Sequence, residues 1–521
     1  MSVGLPGQNA KVGAAGDRKV VLVGCMGAGK SATARTFGAA AADVDELLQA
    51  RDRQTAAGIS AGTGESALRA AQERVALELM ADPAVTVIAL GADTLASEAV
   101  QRAVGSALVV WLDVDLETAW QRSGGLRGEH ALAGDREWFT QRCHEHRVLY
   151  ERFADVIVSG QNTTEMATVL GSLDGVPAGT KMIWAGTRSA DYPVYVGSGL
   201  VVENGFWPSA VPGRRVVISD EHVARYYANR FDPALASVRV APGEQSKTLA
   251  SAELIWSEMV RAGATRTDVV VAVGGGVIGD MAGFCAATYQ RGMRVVQVPT
   301  SLVAQVDSAY GGKTAVDLPQ AKNYVGAFHQ PSAVLVDTAM LQTLPPDELA
   351  AGYAEVVKTG LIAGGSLWEK IRAGAPPDDP EVISGCALAK LRIVAEDELD
   401  TGPRQVLNLG HTIGHGIETA TRYERYRHGE AVGLGLLAEL RLSGADQLRA
   451  EVQELLASAN LPLTLDRQVD PDEVILATTR DKKRVGEEPV PFVLCSAPGA
   501  ARYGQKVSPG ELRGAIRELY G

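Results

Sequence analysis

The chain has 521 residues, 46% of them apolar and 21% charged, which is the composition of a globular protein long enough for two or three cores. A formal charge of −12 and a pI near 5.3 argue against a nucleic-acid binder, which needs a basic face to displace counterions from phosphates. Five scattered cysteines without a CxxC pair point away from a disulfide framework or a sulfur-ligated zinc. No apolar run reaches the length of a membrane helix or a signal peptide, so a cytoplasmic, non-membrane setting is expected.

The first strand signal is VVLVG at Val20 to Gly24. It leads into GCMGAGKS, Gly24 to Ser31, and then a helical pattern. That is the strand–turn–helix context in which GxxxxGK[ST] cradles phosphates with backbone N–H groups. Gly27, Ala28, Gly29, Lys30, Ser31 and Ala32 are the expected ATP contacts. Lys30 would reach the β- and γ-phosphates, and Ser31 would ligate Mg²⁺. DVD at Asp43 to Asp45 offers one carboxylate to the magnesium and another to an acceptor hydroxyl. Strand and helix patterns then alternate to VIVSG at Val156 to Gly160, making one α/β domain. The Gly/Ala/Pro/Ser/Thr-rich text from Gly171 to Asp191 reads as a linker, with the domain boundary near residue 178.

With GESALR (Gly64 to Arg69), SGGLRG (Ser123 to Gly128) and HRVLYER (His146 to Arg152), this module resembles shikimate kinase. The resemblance implies that Asp45, Arg69 and Gly91 contact shikimate, Arg147 its carboxylate, Asp43 the magnesium shell and Arg122 the adenine. Four departures stand beside it. The family's glycine triad appears as Gly91, Ala92 and Asp93, and a negative charge there is expected to weaken binding of a carboxylate substrate. Glu129 replaces a lid arginine, with Arg127 two residues away. Gln72 replaces an acidic residue, and the stretch from Lys30 to Asp43 is about one helical turn short. Two readings stay open: a working kinase, or a nucleotide-binding pseudokinase.

A second α/β region runs from about Tyr192 to Ala339, with strands expected at Val216 to Ser219, Val269 to Val273, Val295 to Pro299 and Ala333 to Asp337. Strands alternating with helices imply a parallel sheet. GGGVIGDMAGF, Gly274 to Phe284, directly follows one of these strands and suits a dinucleotide pyrophosphate. ISDEHV and PGEQSK upstream bring Asp220, Glu244 and Lys247, and Asp220 is a carboxylate placed for an adenosine ribose. PTSLVAQVDSAYGGKTAVD and KNYVGAFHQP set Lys313 and Lys322 in Gly-containing loops beside the sheet.

From Leu341 onward helix formers dominate, and a helical bundle is expected. It carries YAEVVK (Tyr353 to Lys358) and LNLGHTIGHGIETATRYERYRHGEAVG (Leu407 to Gly433). His411 and His415, four apart, share a helix face; His428 returns later, and with Glu355 these residues offer an N/N/O set for a divalent ion.

Residues 181 to 521 thus resemble 3-dehydroquinate synthase, an NAD- and metal-dependent sugar-phosphate cyclase. The resemblance implies Glu355, His411 and His428 as ligands to Zn²⁺ or Co²⁺. It assigns Asp220, Glu244, Lys247, Gly274, Gly275, Gly276, Val277, Asp280, Thr300, Ser301, Lys322, Thr343 and Glu348 to NAD. It assigns Arg291, Asp307, Lys313, Asn323, Lys358, Lys390, Arg404, Asn408 and His415 to substrate and catalysis, and it implies a homodimer. Two competitors are a polyol or glycerol-phosphate dehydrogenase of the same fold, and a cyclase for another sugar phosphate. The second is prompted by Tyr310, Ala315 and Asp317, which depart from the family's usual residues. The expected architecture is α/β throughout the first two parts: a P-loop kinase-like domain (1–178), a parallel-sheet dinucleotide-binding domain (179–340) and an α-helical metal- and substrate-binding domain (341–521).

Overall fold

A computed structural model describes residues 18–124, 136–159, 165–479 and 490–520. The chain forms two compact units. One comprises Met1–Gly186, Asp191–Val194 and Phe206–Ala210; the other comprises Thr187–Ala190, Tyr195–Gly205 and Val211–Gly521.

In the first unit the strands are β1 (Val20–Val23), β2 (Ala41–Asp43), β3 (Val87–Ala89), β4 (Leu108–Asp113), β5 (Val156–Ser159) and β6 (Lys181–Gly186). They lie in the order β2-β3-β1-β4-β5-β6, all parallel, with Val20 opposite both Val87 and Leu108. The valine-rich strands are buried on both faces, as helix-covered parallel strands are. The helix Arg136–Phe153 buries Phe139, Cys143, His146 and Tyr150, spaced four, three and four apart and therefore on one face. Strand β6 lies past the expected boundary near 178 but extends this sheet, pairing Val156 with Met182. Its apolar residues Met182 to Ala185 are buried by doing so.

Strand β7 (Asp191–Gly197) begins in the first unit and ends in the second. The second unit adds β8 (Arg215–Asp220), β9 (Ala234–Val240), β10 (Val269–Gly274), β11 (Arg294–Pro299), β12 (Lys313–Leu318), β13 (Ala321–Phe328) and β14 (Ala333–Asp337). The order β14-β11-β10-β8-β9 is parallel. Val216, Ile218, Val270 and Ala272 pack against Ile278, Met281 and Phe284 of the helix Gly276–Thr288. β12 and β13 form a separate antiparallel hairpin, Lys313 opposite Phe328. Lys313 and Lys322 therefore stand on hairpin strands, where loops were expected. β13 is largely exposed, so it lacks the apolar alternation that would have announced it.

Beyond residue 341 the unit is helical, with one late hairpin of β15 (Phe492–Cys495) and β16 (Ala501–Gln505). The helix Pro346–Ala363 starts on a proline and two acidic residues and stops at Gly364, whose φ is +63°. The helix His428–Leu442 presses against it and against the helix His411–Ala420. A Cβ on Gly429 would lie 1.8 Å from the Ala351 carbonyl oxygen, and one on Gly435 1.9 Å from that of Gly410. This close packing brings Glu355 to the histidines. Among the described residues no helix is long and apolar enough to cross a membrane.

Candidate functional site

At the carboxyl end of β1 the turn uses Gly24, Gly27 and Gly29 at φ +149°, +77° and +97°, conformations that L side chains rarely adopt. Lys30 Nζ donates to the carbonyls of Gly24 and Cys25 at 2.8 and 3.0 Å, folding back over the turn that precedes it. Burial pulls its ammonium below the usual lysine value, and Asp45 opposes that pull. Ser31 and Ala32 open the helix Lys30–Arg35 beside Ala28 and Gly29. A wrapped turn and a flexible basic side chain suit ATP with Mg²⁺. Asp43 caps the next helix, its Oδ1 accepting from the N–H groups of Asp45 and Glu46 at 2.9 and 3.0 Å. Arg122 is exposed at the end of the helix Leu116–Arg122. Arg127 and Glu129 lie outside the described residues.

The acceptor side gathers at the carboxyl end of β3. Gln72 Nε2 donates to Asp45 Oδ1 at 2.7 Å. A Cβ on Gly91 would come within 2.6 Å of that nitrogen and 3.0 Å of that oxygen, so glycine is there for space. Asp93 carries the negative charge expected to repel a carboxylate, but it is not alone: Arg142 Nη2 lies 2.9 Å from one oxygen and His146 Nδ1 3.3 Å from the other. Arg69 pairs with Glu65 at 3.0 Å. Arg147 lies near Glu151 (3.4 Å) and Asp113 (3.9 Å), over the Trp111 ring.

In the second unit a cavity of about 910 Å³ opens over the carboxyl end of β10. Of the residues assigned to NAD, Asp220, Glu244, Lys247, Gly275, Gly276, Val277, Asp280, Ser301, Lys322 and Glu348 line it. Gly274, buried Thr300 and Thr343 do not; Thr343 is bonded to the Tyr227 hydroxyl at 2.8 Å. Cβ atoms on Gly275 and Gly276 would reach Ser301 Oγ and Ser308 Oγ at 3.1 and 3.0 Å, and the helix that follows has no side-chain cap. Uncapped N–H groups beside glycine-cleared space fit a dinucleotide phosphate. Asp220 also caps its own helix, accepting from the N–H groups of His222 and Val223. Lys247, buried, bridges Asp280 (2.6 Å) and Asn323 Oδ1 (2.5 Å). Asn323 sits at φ +57°, and its N–H donates to Asp317 Oδ1 at 2.7 Å, which supports that conformation.

Glu355 is fully buried, and His411 Nε2 and His428 Nε2 lie 3.4 and 3.3 Å from its Oε1. Neither carboxylate oxygen has a hydrogen bond of good geometry, although Lys358 Nζ is 2.5 Å from Oε2. A buried carboxylate that turns one oxygen to Lys358 and the other to two imidazoles, with ligand atoms all within 4.8 Å, fits a divalent ion. Burial alone would raise the Glu355 carboxyl, but Lys358 and His411 hold it well below the usual range. Burial lowers His411 to about 4, keeping it neutral and ready to donate a lone pair. His428 is carried up to about 10 against burial by Glu355 and Glu418. A chain of charges continues behind it, with Lys358 3.5 Å from Asp307 and Lys390 2.5 Å from Asp307. His415 lies on the same helix face, its ring 5.4 Å from that of His411.

Other assigned residues stand apart from the cavity lining. Arg291 is exposed at φ +66°. Lys313 is half exposed and paired with Asp400. Asn408 donates to Gln405 O, and buried Arg404 braces the carbonyls of Gly311 and Glu398. Among the cavity residues that escaped the sequence reading, Glu418 and Tyr423 touch residues assigned to the site. Glu418 Oε1 lies 3.4 Å from His428 Nδ1, and the Tyr423 ring lies 4.0 Å from Lys322 Nζ. Only the i, i+3 spacing of His415 and Glu418 carried a signal.

Family models match this arrangement: shikimate kinase over residues 26–173, 3-dehydroquinate synthase N-terminal over 237–351 and 3-dehydroquinate synthase C-terminal over 352–484. The 3-dehydroquinate synthase of Symbiobacterium thermophilum is 41% identical over 351 residues, covering 63% of this chain and 98% of that relative. That of Methylococcus capsulatus is 42% identical over 349 residues, covering 63% and 96%. Among solved structures, a 2-deoxy-scyllo-inosose synthase complexed with carbaglucose-6-phosphate, NAD⁺ and Co²⁺ aligns at a TM-score of 0.58 and 26% identity, covering 65% of this chain and 99% of that one. With its glycine-cleared turn and its Glu/His/His cluster in one unit, and a P-loop domain in the other, the chain belongs to the 3-dehydroquinate synthase family and carries a shikimate kinase domain ahead of it.

Proposed function

We propose that the second unit converts 3-deoxy-D-arabino-heptulosonate 7-phosphate (DAHP) to 3-dehydroquinate and phosphate, and that the first phosphorylates shikimate with ATP. The observation that carries the first half is the Glu355–His411–His428 donor set beside the dinucleotide turn. The substrate must lose phosphate from a position β to a hydrogen that an alcohol neighbour leaves too weakly acidic. When bound, NAD⁺ would oxidise the C5 alcohol to a ketone and the NADH so formed would later reduce that ketone back, while Zn²⁺ or Co²⁺ on these three ligands supplied Lewis acidity to the C5 oxygen. The chain's own groups do the rest. Lys358 stays protonated despite complete burial because Asp307 and Glu355 flank it, and it is assigned with Lys313, Arg291 and Asn323 to the phosphate charge. Lys390, Arg404 and Asn408 are assigned to the substrate side from behind the cavity wall, Lys390 through Asp307 and Arg404 through the Gly311 and Glu398 carbonyls. His415, in the lining, moves or orients a proton there.

Identity near 40% to dehydroquinate synthases, against 26% to the inosose synthase, supports DAHP over another sugar phosphate. For the first unit the support is an intact P-loop with Lys30 and Asp45 electrostatically linked, and an Asp93 whose charge is matched. We also assign zinc as the native ion, a homodimer formed through the second unit, a division of that unit near residue 340, and a cytoplasmic site of action consistent with five free cysteines. The test supplies the full chain with DAHP, NAD⁺ and Zn²⁺. Stoichiometric phosphate and dehydroquinate with no net NADH are expected; accumulating NADH would indicate a dehydrogenase instead. ATP with shikimate, added separately, should yield ADP, and shikimate-independent turnover alone would refute the kinase half.

A further inference from the structure

Asp93 sits where a carboxylate would oppose an anionic acceptor, and its surroundings show how that opposition is met. Its two oxygens face Arg142 Nη2 at 2.9 Å and His146 Nδ1 at 3.3 Å. The same Arg142 nitrogen lies 3.2 Å from Glu65, which in turn holds Arg69 at 3.0 Å. Arg142 and His146, four residues apart on the helix Arg136–Phe153, thus reach one carboxylate together, and the Arg142 guanidinium rests 5.8 Å from the Trp138 ring centre. The neighbouring backbone is fixed as well, because the Tyr150 hydroxyl donates to Ala92 O at 2.8 Å. The Arg142 side chain is only 16% exposed and that of Asp93 23%, so water screens this pair weakly. Arg142 Nη1 also lies 3.7 Å from Glu145, so the cluster sets Arg142 and Arg69 against Asp93, Glu65 and Glu145. Without Arg142, Arg69 would remain with Glu65 and Asp93 would face only His146 of these groups, beside the pocket of Asp45, Gln72 and Gly91.

We infer that Arg142 is a specificity-determining residue of the kinase site: it cancels Asp93, so that the pocket accepts a carboxylate-bearing acceptor that Asp93 alone would repel. It acts through Asp93 and does not itself contact the acceptor. The inference rests on the shikimate kinase reading of the first unit.

The test uses the full-length protein and the substitutions Arg142→Met, which keeps the stem on Trp138, Asp93→Asn, and both together. Arg142→Met should raise the KM and Kd for shikimate between about tenfold and a hundredfold through like-charge opposition, with KM for ATP and kcat nearly unchanged. Asp93→Asn should bind shikimate at least as well as the parent, and the double variant should return to within about threefold of it. An unchanged shikimate Kd in Arg142→Met, an equal rise in KM for ATP, or a double variant as poor as Arg142→Met would each overturn the inference. His146, faced by Asp93, Arg142, Glu145 and Arg69, supplies a readout that needs no turnover. Its NMR titration should move up in Arg142→Met and back down in the double variant, and a fixed titration would also overturn the coupling. A parent chain that binds no shikimate in any variant, with His146 shifting as described, refutes the kinase reading; a parent that binds it with no response to Arg142→Met refutes only the inference.

Discussion

Both units present a glycine-rich turn at the carboxyl end of a buried parallel strand, yet glycine serves a different purpose in each. In the turn after β1 the requirement is conformational: Gly24, Gly27 and Gly29 all have positive φ. In the turn after β10 the backbone is ordinary, Gly275 lying at φ −73° and ψ −171°, and the requirement is room. A Cβ there would meet Ile278, Ser301 or Ser308 side chains at 2.6 to 3.1 Å. The groups standing behind the turns differ too. The first is backed by one lysine folded onto its own loop, the second by linked buried charges running from Lys247 to Asp280 and from Lys390 through Asp307 and Lys358 to Glu355. The first turn is therefore sensitive in its backbone, and the second site in its charge balance.

The largest effect should come from breaking that balance. Glu355→Ala removes one metal ligand and leaves Lys358 buried with Asp307 alone, so bound metal and DAHP turnover should vanish together. Stability of the second unit should fall by about 3–5 kcal/mol. His411→Ala should lose metal and activity with less damage to the fold, since the neutral imidazole leaves no charge behind. Metal analysis and thermal unfolding separate the two; retained stoichiometric metal in either variant would sink the ligand assignment.

Next in size is Gly27→Ala. Its Cβ would lie 2.1 Å from the Ala119 carbonyl oxygen at φ +77°, and backbone cannot yield as a side chain does. A loss of roughly 3 kcal/mol or more in the first unit is expected, with ATP binding abolished and DAHP turnover kept. Gly276→Ala tests the other turn. Its Cβ meets only the Ser308 hydroxyl at 3.0 Å, so unfolding should shift by less than about 1 kcal/mol. NAD affinity should fall at least about tenfold, because the methyl takes space the phosphate needs. Equal destabilisation by the two substitutions would erase the distinction between the turns.

Much of this was legible in the residues. The valine strands, the P-loop and the Gly274–Gly276 turn follow from short-range patterns, and the i, i+4 histidines landed on one face as helical spacing requires. What escaped depends on contacts distant in the chain. Lys322 was read as a loop lysine because exposed β13 has no apolar alternation, and its ring partner Tyr423 is a hundred and one positions away by residue number. Asp93 read as a liability because Arg142, forty-nine residues on, is not part of any local motif. Gly429 and Gly435 set how closely the metal-bearing helices approach, a role that rests on the carbonyls of Ala351 and Gly410, distant in the chain. The reach of β6 into the first sheet was hidden in Gly- and Thr-rich flanks.

The smallest effect should appear at the opposite end of β10 from its glycine turn. Asp268 directly precedes this strand; its oxygens accept from Arg214 Nε and Nη2 at 2.9 and 2.8 Å and from Thr265 N at 2.8 Å. Hydrogen bonds from Arg214, ahead of the opposing effect of burial, bring its carboxyl down from 3.8 to about 2. A depressed carboxyl contributes stability that is fully present above the unfolded value near 4 and is lost as pH falls through about 2. Because the Arg214 side chain is 55% exposed, solvent discounts this contribution to about 1 kcal/mol. Asp268→Asn should therefore lower stability slightly at neutral pH, and the difference from the parent should close between pH 4 and 2 in acid-unfolding curves. NAD affinity should not change, since the anchoring end of β10 and its ligand end are separated by the length of the strand. A loss of NAD binding in Asp268→Asn would mean that the turn depends on how its strand is anchored, and that room alone does not explain its glycines.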